Sequence, residues 1–151
     1  MQACDASTTP EEIIVPFSKL ALLYLITTIA FFALDFVWLS TATSRIYKPY
    51  LGDLLAEKPN LPVAAGFYLF YVVGLIALAI VPGLKEGAIM GAVWRGALFG
   101  LLAYATYDLT NLATIQGWAW QVSVIDMVWG TVLNSVVAAV GFYAGVWLGL
   151  K

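Results

Sequence analysis

Residues 18–40 read SKLALLYLITTIAFFALDFVWLS, an apolar run of the length that a helix needs to cross a lipid bilayer. With a rise of about 1.5 Å per residue, about 20 residues span a hydrocarbon core roughly 30 Å thick. Asp35 is the one charged residue in the interior of the run. The run therefore predicts a membrane-spanning helix that carries a carboxyl group in its last turns.

Three more apolar runs follow, and the composition of the whole chain agrees with them. Of the 151 residues, 62% are hydrophobic and 11% are charged, with a mean hydropathy of +0.90. Soluble domains carry about a quarter charged residues. We predict an all-α polytopic membrane protein, a compact bundle of four transmembrane helices. The predicted organisation is a polar tail at residues 1–16 and a single transmembrane domain at residues 17–151, with spans at about 18–40, 63–81, 88–115 and 123–150.

The segments between the runs predict how the helices are connected. Residues 41–62, TATSRIYKPYLGDLLAEKPNLP, are polar but contain tyrosine and leucine, which favours a segment lying on the lipid headgroups. In VPGLKEG, Pro82-Gly83 predicts a tight turn, and Gly117 predicts the end of the third span. With such short connections, we expect consecutive helices to be antiparallel neighbours.

The distribution of basic residues predicts the orientation in the membrane. Four spans place both termini on one side, and basic residues are commoner on the cytoplasmic side. Arg95 is expected to extend its side chain toward the side of the termini. The terminal side then has Lys19, Lys85, Arg95 and Lys151, and the other side has Arg45, Lys48 and Lys58. The count of four against three predicts cytoplasmic termini.

The same composition excludes several classes of function. The net charge is −2 and the basic residues are scattered, so there is no clustered basic face for nucleic acid. Histidine is absent, and Cys4 is the single cysteine. We therefore predict no nucleic-acid partner, no metal centre and no cofactor. Three carboxylates could bind a hard cation, but oxygen ligands at their spacing are weak evidence for one.

Small residues recur at intervals of four in the last two spans. Gly87 and Gly91, and Gly96 and Gly100, form two pairs in and before the third span, and the fourth carries a row of three glycines. Such rows allow helix backbones to touch. The sequence predicts that they pack the bundle or join copies of the chain. A homo-oligomer or a larger membrane complex would form through Gly141, Gly145 and Gly149.

Three carboxyl groups lie inside the predicted spans: Asp35, Asp108 and Asp126. A charged Asp at a helix centre costs roughly 2.5 to 3.5 kcal/mol or more, so such residues usually face the bundle interior. Because alternate spans reverse direction, all three lie in the same half of the bilayer. Asp126 has a second interpretation, since Ser123-x-x-Asp126 resembles a capping box at a helix start.

Aromatic and amide residues surround these carboxyls at helical spacing. Their rings could equally form an aromatic belt at the membrane interface. A shared polar cavity would suit acid/base chemistry, proton coupling or the binding of a cationic or polyhydroxylated ligand, and it could also be a structural hydrogen-bonded network. No catalytic residue is assigned. The predicted cluster comprises Asp35, Trp38, Tyr68, Tyr71, Tyr104, Tyr107, Asp108, Asn111, Asp126, Trp129 and Asn134.

The run GLLAYATYDLTNLATIQGW at residues 100–118, followed by DMVWGT at 126–131, resembles the signature of the DUF2177 family of small bacterial membrane proteins. LDFVWL at 34–39, IYKPYLGDLL at 46–55 and GFYLFYVVG at 66–74 agree with it. The resemblance implies a four-helix protein of the bacterial inner membrane, in a family without an established activity.

The sequence therefore predicts a protein that binds or acts on a lipid or another amphiphile, with membrane lipids as its partners. Carboxyls would contact the polar head, and aromatic rings would hold the apolar part. Whether the chain is an enzyme stays open. Two alternatives are a small proton-coupled transporter, which would normally need an internal repeat and broken helices, and an accessory subunit of a larger membrane complex.

Overall fold

The computed structural model describes residues 16–151, and all regular secondary structure in that range is helical. Four helices are long and apolar enough to cross a membrane, which confirms the predicted all-α class with four spanning helices. The predicted tail at residues 1–16 lies outside the described residues except for Pro16. The first to fourth helices run Phe17–Leu54, Leu61–Glu86, Ile89–Thr114 and Trp120–Trp147.

The connections define two ends of the bundle. At the terminal end, the start of the first helix meets the last residues of the chain, since Lys19 Nζ lies 3.4 Å from the position of a Cβ on Gly149. The turn at Gly87 lies at the same end, beside Lys151. The opposite end, which we call the cavity end, holds the last turns of the first and third helices and the first turns of the second and fourth.

Two prolines lie inside helices rather than beyond their ends. Pro49 and Pro82 each follow a π-helical turn, Thr43–Tyr47 and Ile76–Ile80 respectively. In an α-helix, a proline ring collides with the carbonyl group four residues earlier. In both cases that carbonyl belongs to the wider π turn, and such local adjustment is how membrane helices accommodate proline. Both helices therefore continue past their proline.

The predicted turn at Pro82-Gly83 is wrong for this reason. The second helix continues to Glu86, and the chain reverses at Gly87, whose φ of 66° suits glycine. The Ala88 N–H donates to the Gly83 carbonyl oxygen at 3.2 Å, which closes the helix end as in a Schellman motif. The other reversal has Gly117 at φ 84°, where the sequence predicts a stop.

The first helix also extends beyond residue 40. It runs through the π turn and a short α-helical segment, Lys48–Leu51, and ends in a 3₁₀ turn at Leu54. The segment expected to lie on the headgroups is thus helical over much of its length. Leu51 is buried and Tyr47 is half-buried, so part of this extension packs onto the bundle.

Glycines set the close approach of the helices. A Cβ on Gly96 would lie 2.6 Å from the Asn134 carbonyl oxygen, and a Cβ on Gly100 would collide with the Gly130 carbonyl oxygen. The third and fourth helices therefore touch through backbone atoms. In the row Gly141, Gly145 and Gly149, the first glycine contacts Ile80 and the second contacts Leu84, both on the second helix of the same chain. Oligomer formation through this row stays a prediction.

The terminal half has a conventional apolar core and one ion pair. Leu23, Leu75, Ile80 and Val137 are fully buried there. Arg95 pairs with Glu86 through its two terminal guanidinium nitrogens, Nη1–Oε2 at 2.8 Å and Nη2–Oε1 at 2.5 Å. The arginine thus reaches the side of the termini, in agreement with the sequence.

The outer surface of the bundle exposes large apolar side chains, as is typical of a membrane protein. Phe36, Phe70 and Trp147 each expose about three quarters of their surface, at 74%, 77% and 75%. A soluble monomer rarely exposes large contiguous apolar patches. The exposed rings and aliphatic chains are therefore suited to contact with hydrocarbon.

Candidate functional site

All three intramembrane carboxyl groups are buried, with exposed fractions of 3% for Asp35, 0% for Asp108 and 8% for Asp126. Asp35 and Asp126 lie close together at the cavity end. Each accepts a hydrogen bond from an aromatic side chain, and these side chains belong to one connected group. The Trp129 Nε1–H donates to Asp35 Oδ1 at 3.3 Å. Tyr68 lies beside the same carboxyl.

Asp126 is held by a relay from the first helix. The Trp38 Nε1–H donates to the Tyr47 hydroxyl oxygen at 2.9 Å, and that hydroxyl donates to Asp126 Oδ1 at 2.6 Å. The Trp38 and Trp129 rings stack with their centroids 4.5 Å apart and their planes at 8°. Each carboxyl thus receives a hydrogen bond from an aromatic side chain, and stacking joins the two units.

Asp126 does not cap a helix. The fourth helix begins at Trp120, its N-cap is Ala119, and no side chain bonds to the free N–H groups there. Asp126 lies in the second turn, where its side chain contacts Tyr47. The capping interpretation of Ser123 and Asp126 is therefore wrong.

A cavity of about 360 Å³ lies at this end, and all four helices contribute to its wall. Its volume lies within the range of about 300–1,000 Å³ that ligand pockets occupy. Asp35 and Asp126 are the charged members of the lining. The remaining lining residues are Phe31, Trp38, Leu39, Tyr47, Leu51, Leu55, Phe67, Tyr68, Tyr71, Ala103, Tyr104, Tyr107, Trp118, Val122 and Trp129.

Most of the residues predicted from the sequence meet at this cavity. The exceptions are Asp108, Asn111 and Asn134, which are absent from the lining. Those that line it are Asp35, Trp38, Tyr68, Tyr71, Tyr104, Tyr107, Asp126 and Trp129.

Asp108 lies behind the cavity wall. Its backbone carbonyl accepts a hydrogen bond from the Ser123 hydroxyl at 3.3 Å, and that hydroxyl accepts one from Trp118 Nε1–H at 3.0 Å. Neither carboxyl oxygen of Asp108 has a hydrogen-bond partner among the described residues. Asn111 lies beside Tyr107.

Asn134 is fully buried on the fourth helix, outside the cavity lining. Its Nδ2 donates to the Gly130 carbonyl oxygen at 2.7 Å. The Asn134 side chain lies beside the Tyr71 hydroxyl, but neither Asn134 Oδ1 nor that hydroxyl has a hydrogen-bond partner within the described part of the chain. Tyr71 is buried, with 7% exposed, and it also lines the cavity.

Residues 46–55 contribute three lining side chains that the sequence reasoning did not assign to the site: Tyr47, Leu51 and Leu55. The prediction of a headgroup segment placed them outside the bundle. The signal that could have identified them is the motif IYKPYLGDLL, which belongs to the family resemblance. Phe31 and Phe67 were also missed, since single phenylalanines in an apolar span carry no distinctive signal.

Among the described residues, no lysine or arginine belongs to the lining of this cavity. Arg45 and Lys48, the basic residues nearest in sequence to Tyr47, have exposed side chains, and no ion pair involves them in the described residues. No basic side chain of the described cavity wall is therefore available to pair with Asp35 or Asp126.

With this geometry established, comparison with known proteins identifies the family. The family model described as "Predicted membrane protein (DUF2177)" matches residues 20–143. The chain belongs to the DUF2177 family. The match includes every residue that lines the cavity. Searches of curated proteins and of solved structures found no match.

Proposed function

We propose that this DUF2177 protein binds a lipid or another amphiphilic molecule in the cavity at the cavity end of the bundle. The observation that supports the proposal is the composition of the cavity wall. Ten of the seventeen lining residues are aromatic and five are aliphatic, whereas two are carboxylates. Pockets for small molecules are mostly apolar, with a few polar groups that fix the ligand's orientation.

The cavity wall offers apolar contacts for the chain of an amphiphile and hydrogen-bond acceptors for its polar head. Phe31, Phe67 and Ala103 provide apolar contacts. Asp35 and Asp126 each have one oxygen bonded to an aromatic donor, and they provide acceptors for a polar head. The volume of about 360 Å³ suits a headgroup or a short length of chain.

The proposed location is the inner membrane of a bacterium, with both termini in the cytoplasm. Support for the orientation comes from the count of basic residues at the two ends. The family resemblance supports the choice of membrane. The transporter and accessory-subunit alternatives are not our proposal, because the described residues offer no observation specific to either role.

Filling the cavity tests this function. Ala103 lines the cavity, so Ala103→Phe should occupy part of it and reduce the number of lipid molecules that remain bound after purification. Ala113→Phe is the matched control, because Ala113 is exposed on the same helix and does not line the cavity. Native mass spectrometry counts the bound lipids, and thermal melting verifies that both variants are folded.

We expect the bound lipid to fall at least about fivefold in Ala103→Phe, a loss of roughly 1 kcal/mol in binding, and to stay at the parent level in Ala113→Phe. A folded Ala103→Phe protein that retains the parent's lipids would contradict the proposal.

A further inference from the structure

The charge in the cavity wall limits the kind of polar head that it accommodates. The charged lining residues are Asp35 and Asp126, both more than nine-tenths buried. Arg95, in the second turn of the third helix, is paired with Glu86 at the terminal end. Carboxylates in a medium of low dielectric attract a cation strongly and repel an anionic head.

The rings in the wall favour the same charge. An aromatic face carries partial negative charge, and an ammonium group within about 6 Å of a ring centroid is attracted to it. Trp129 places an aromatic ring and a carboxyl side by side, because it lines the cavity and its Nε1–H donates to Asp35. Walls made of aromatic rings and carboxylates are the type of site that recognises alkylated ammonium groups.

The hydrogen-bonding groups in the wall also need donors. The hydroxyl of Tyr71 has no hydrogen-bond partner among residues 16–151, although its side chain is nine-tenths buried and lines the cavity. The Tyr47 hydroxyl donates its hydrogen bond to Asp126 Oδ1, and no described residue donates to Asp126 Oδ2. A primary ammonium supplies three donors and no acceptor, and both a carboxyl oxygen and a phenolic oxygen can accept from it.

We propose that the amphiphile bound in this cavity carries an ammonium group, which lies against Asp35, Asp126 and the neighbouring aromatic rings. This inference rests on the proposed function and narrows it to one chemical class of head. An ammonium could belong to the headgroup of a membrane lipid or to a small free amine. The chemistry is the same in the two cases, and the experiment separates the sources.

The experiment uses amphiphiles with one chain and different heads. Dodecylammonium, dodecanol and dodecanoate are titrated into the full chain in dodecyl maltoside micelles, and calorimetry measures binding after subtraction of the heat of micelle partition. Tetramethylammonium and ethylammonium, which have no long chain, form a second arm. The variants are Asp35→Asn and Asp126→Asn, with Asp53→Asn as the control at an exposed carboxyl outside the cavity lining.

We expect dodecylammonium to bind at least about tenfold more tightly than dodecanol, and dodecanoate to bind most weakly. Asp35→Asn and Asp126→Asn should each weaken dodecylammonium binding about tenfold and dodecanol binding much less, because the amide oxygen of Asn still accepts a hydrogen bond from a hydroxyl. Asp53→Asn should match the parent. Saturable binding of the short ammonium ions would indicate a free amine as the ligand, and binding of dodecylammonium alone would indicate a lipid.

Two outcomes would overturn the inference, and they have different meanings. Equal affinity for the three heads, unaffected by the Asn variants, would disprove the ammonium assignment while leaving amphiphile binding in place. Failure of all the dodecyl compounds to bind saturably to the folded parent would disprove the proposed function together with the inference. Thermal melting of each variant verifies that a loss of binding is not a loss of fold.

Discussion

At the terminal end of the bundle, Arg95 and Glu86 neutralise each other beside a tightly packed apolar core. At the cavity end, Asp35 and Asp126 lie in the wall of an open space, and none of the described residues that line it is basic. Buried charge without a partner lowers stability. The comparison indicates that close packing stabilises the terminal end, whereas the buried polar groups of the cavity end lower the free energy of unfolding.

The largest loss of stability should come from disturbing the backbone contact between the third and fourth helices, which lies between the two ends of the bundle. Gly100→Leu places a side chain against the Gly130 carbonyl oxygen, and we expect it to lower the free energy of unfolding by about 3 kcal/mol. Gly66→Leu is the control, because a Cβ at Gly66 meets no atom within 4 Å. Equilibrium unfolding in mixed micelles measures both variants. Equal stability of the two would show that this backbone contact does not limit helix packing.

The next effect concerns the relay at the cavity end. Tyr47→Phe removes the hydroxyl that donates to Asp126, and we expect a loss of about 2 kcal/mol, typical of a hydrogen bond to a charged group. Tyr143→Phe, at an exposed tyrosine toward the terminal end, should cost nothing. If the two variants unfold at the same denaturant concentration, the extension of the first helix does not anchor to the fourth helix through this bond.

Asp108→Asn should act in the opposite direction. Its carboxyl is fully buried and both oxygens lack partners among the described residues, so a neutral amide of the same shape should leave the protein as stable as the parent or raise its stability by up to about 2 kcal/mol. Asp53→Asn, at an exposed carboxyl, should have no effect. A marked loss of stability in Asp108→Asn would mean that the charged form makes contacts essential to the fold.

The smallest effect belongs to the ion pair at the terminal end. Arg95→Gln should lower the melting temperature only slightly, and raising the salt concentration should reduce the difference, because exposed ion pairs are weak and screened. Glu86→Gln should give the same small shift, since the two side chains interact mainly with each other. A large, salt-independent loss would show that this pair organises the terminal end.

Helical periodicity and hydropathy were sufficient to predict the four helices. The error at Pro82 arose because proline normally ends a soluble helix, whereas the π turn Ile76–Ile80 accommodates it within a membrane helix. The same effect at Pro49 carries the first helix on to Leu54. Both adjustments are changes of hydrogen-bond register, which residue types alone do not reveal.

The sequence placed Asp35 and Asp126 in one half of the bilayer, because antiparallel spans fix depth. It could not separate Asp108 from them, since depth does not fix which way a side chain points. Tyr47 was missed because its role depends on the first helix continuing beyond residue 40. The positions of Tyr47 and Asp108 relative to the cavity therefore depend on contacts between segments that are distant in sequence, and sequence patterns do not reveal these contacts.

The most direct test of the difference between the two ends is an experimental structure of the full chain in native lipid, at a resolution that shows bound lipid. We predict continuous density inside the cavity, with its polar part within hydrogen-bonding distance of Asp35 or Asp126. A cavity that has closed on its own aromatic side chains, or that holds only water while the remainder of the bundle is unchanged, would contradict the account.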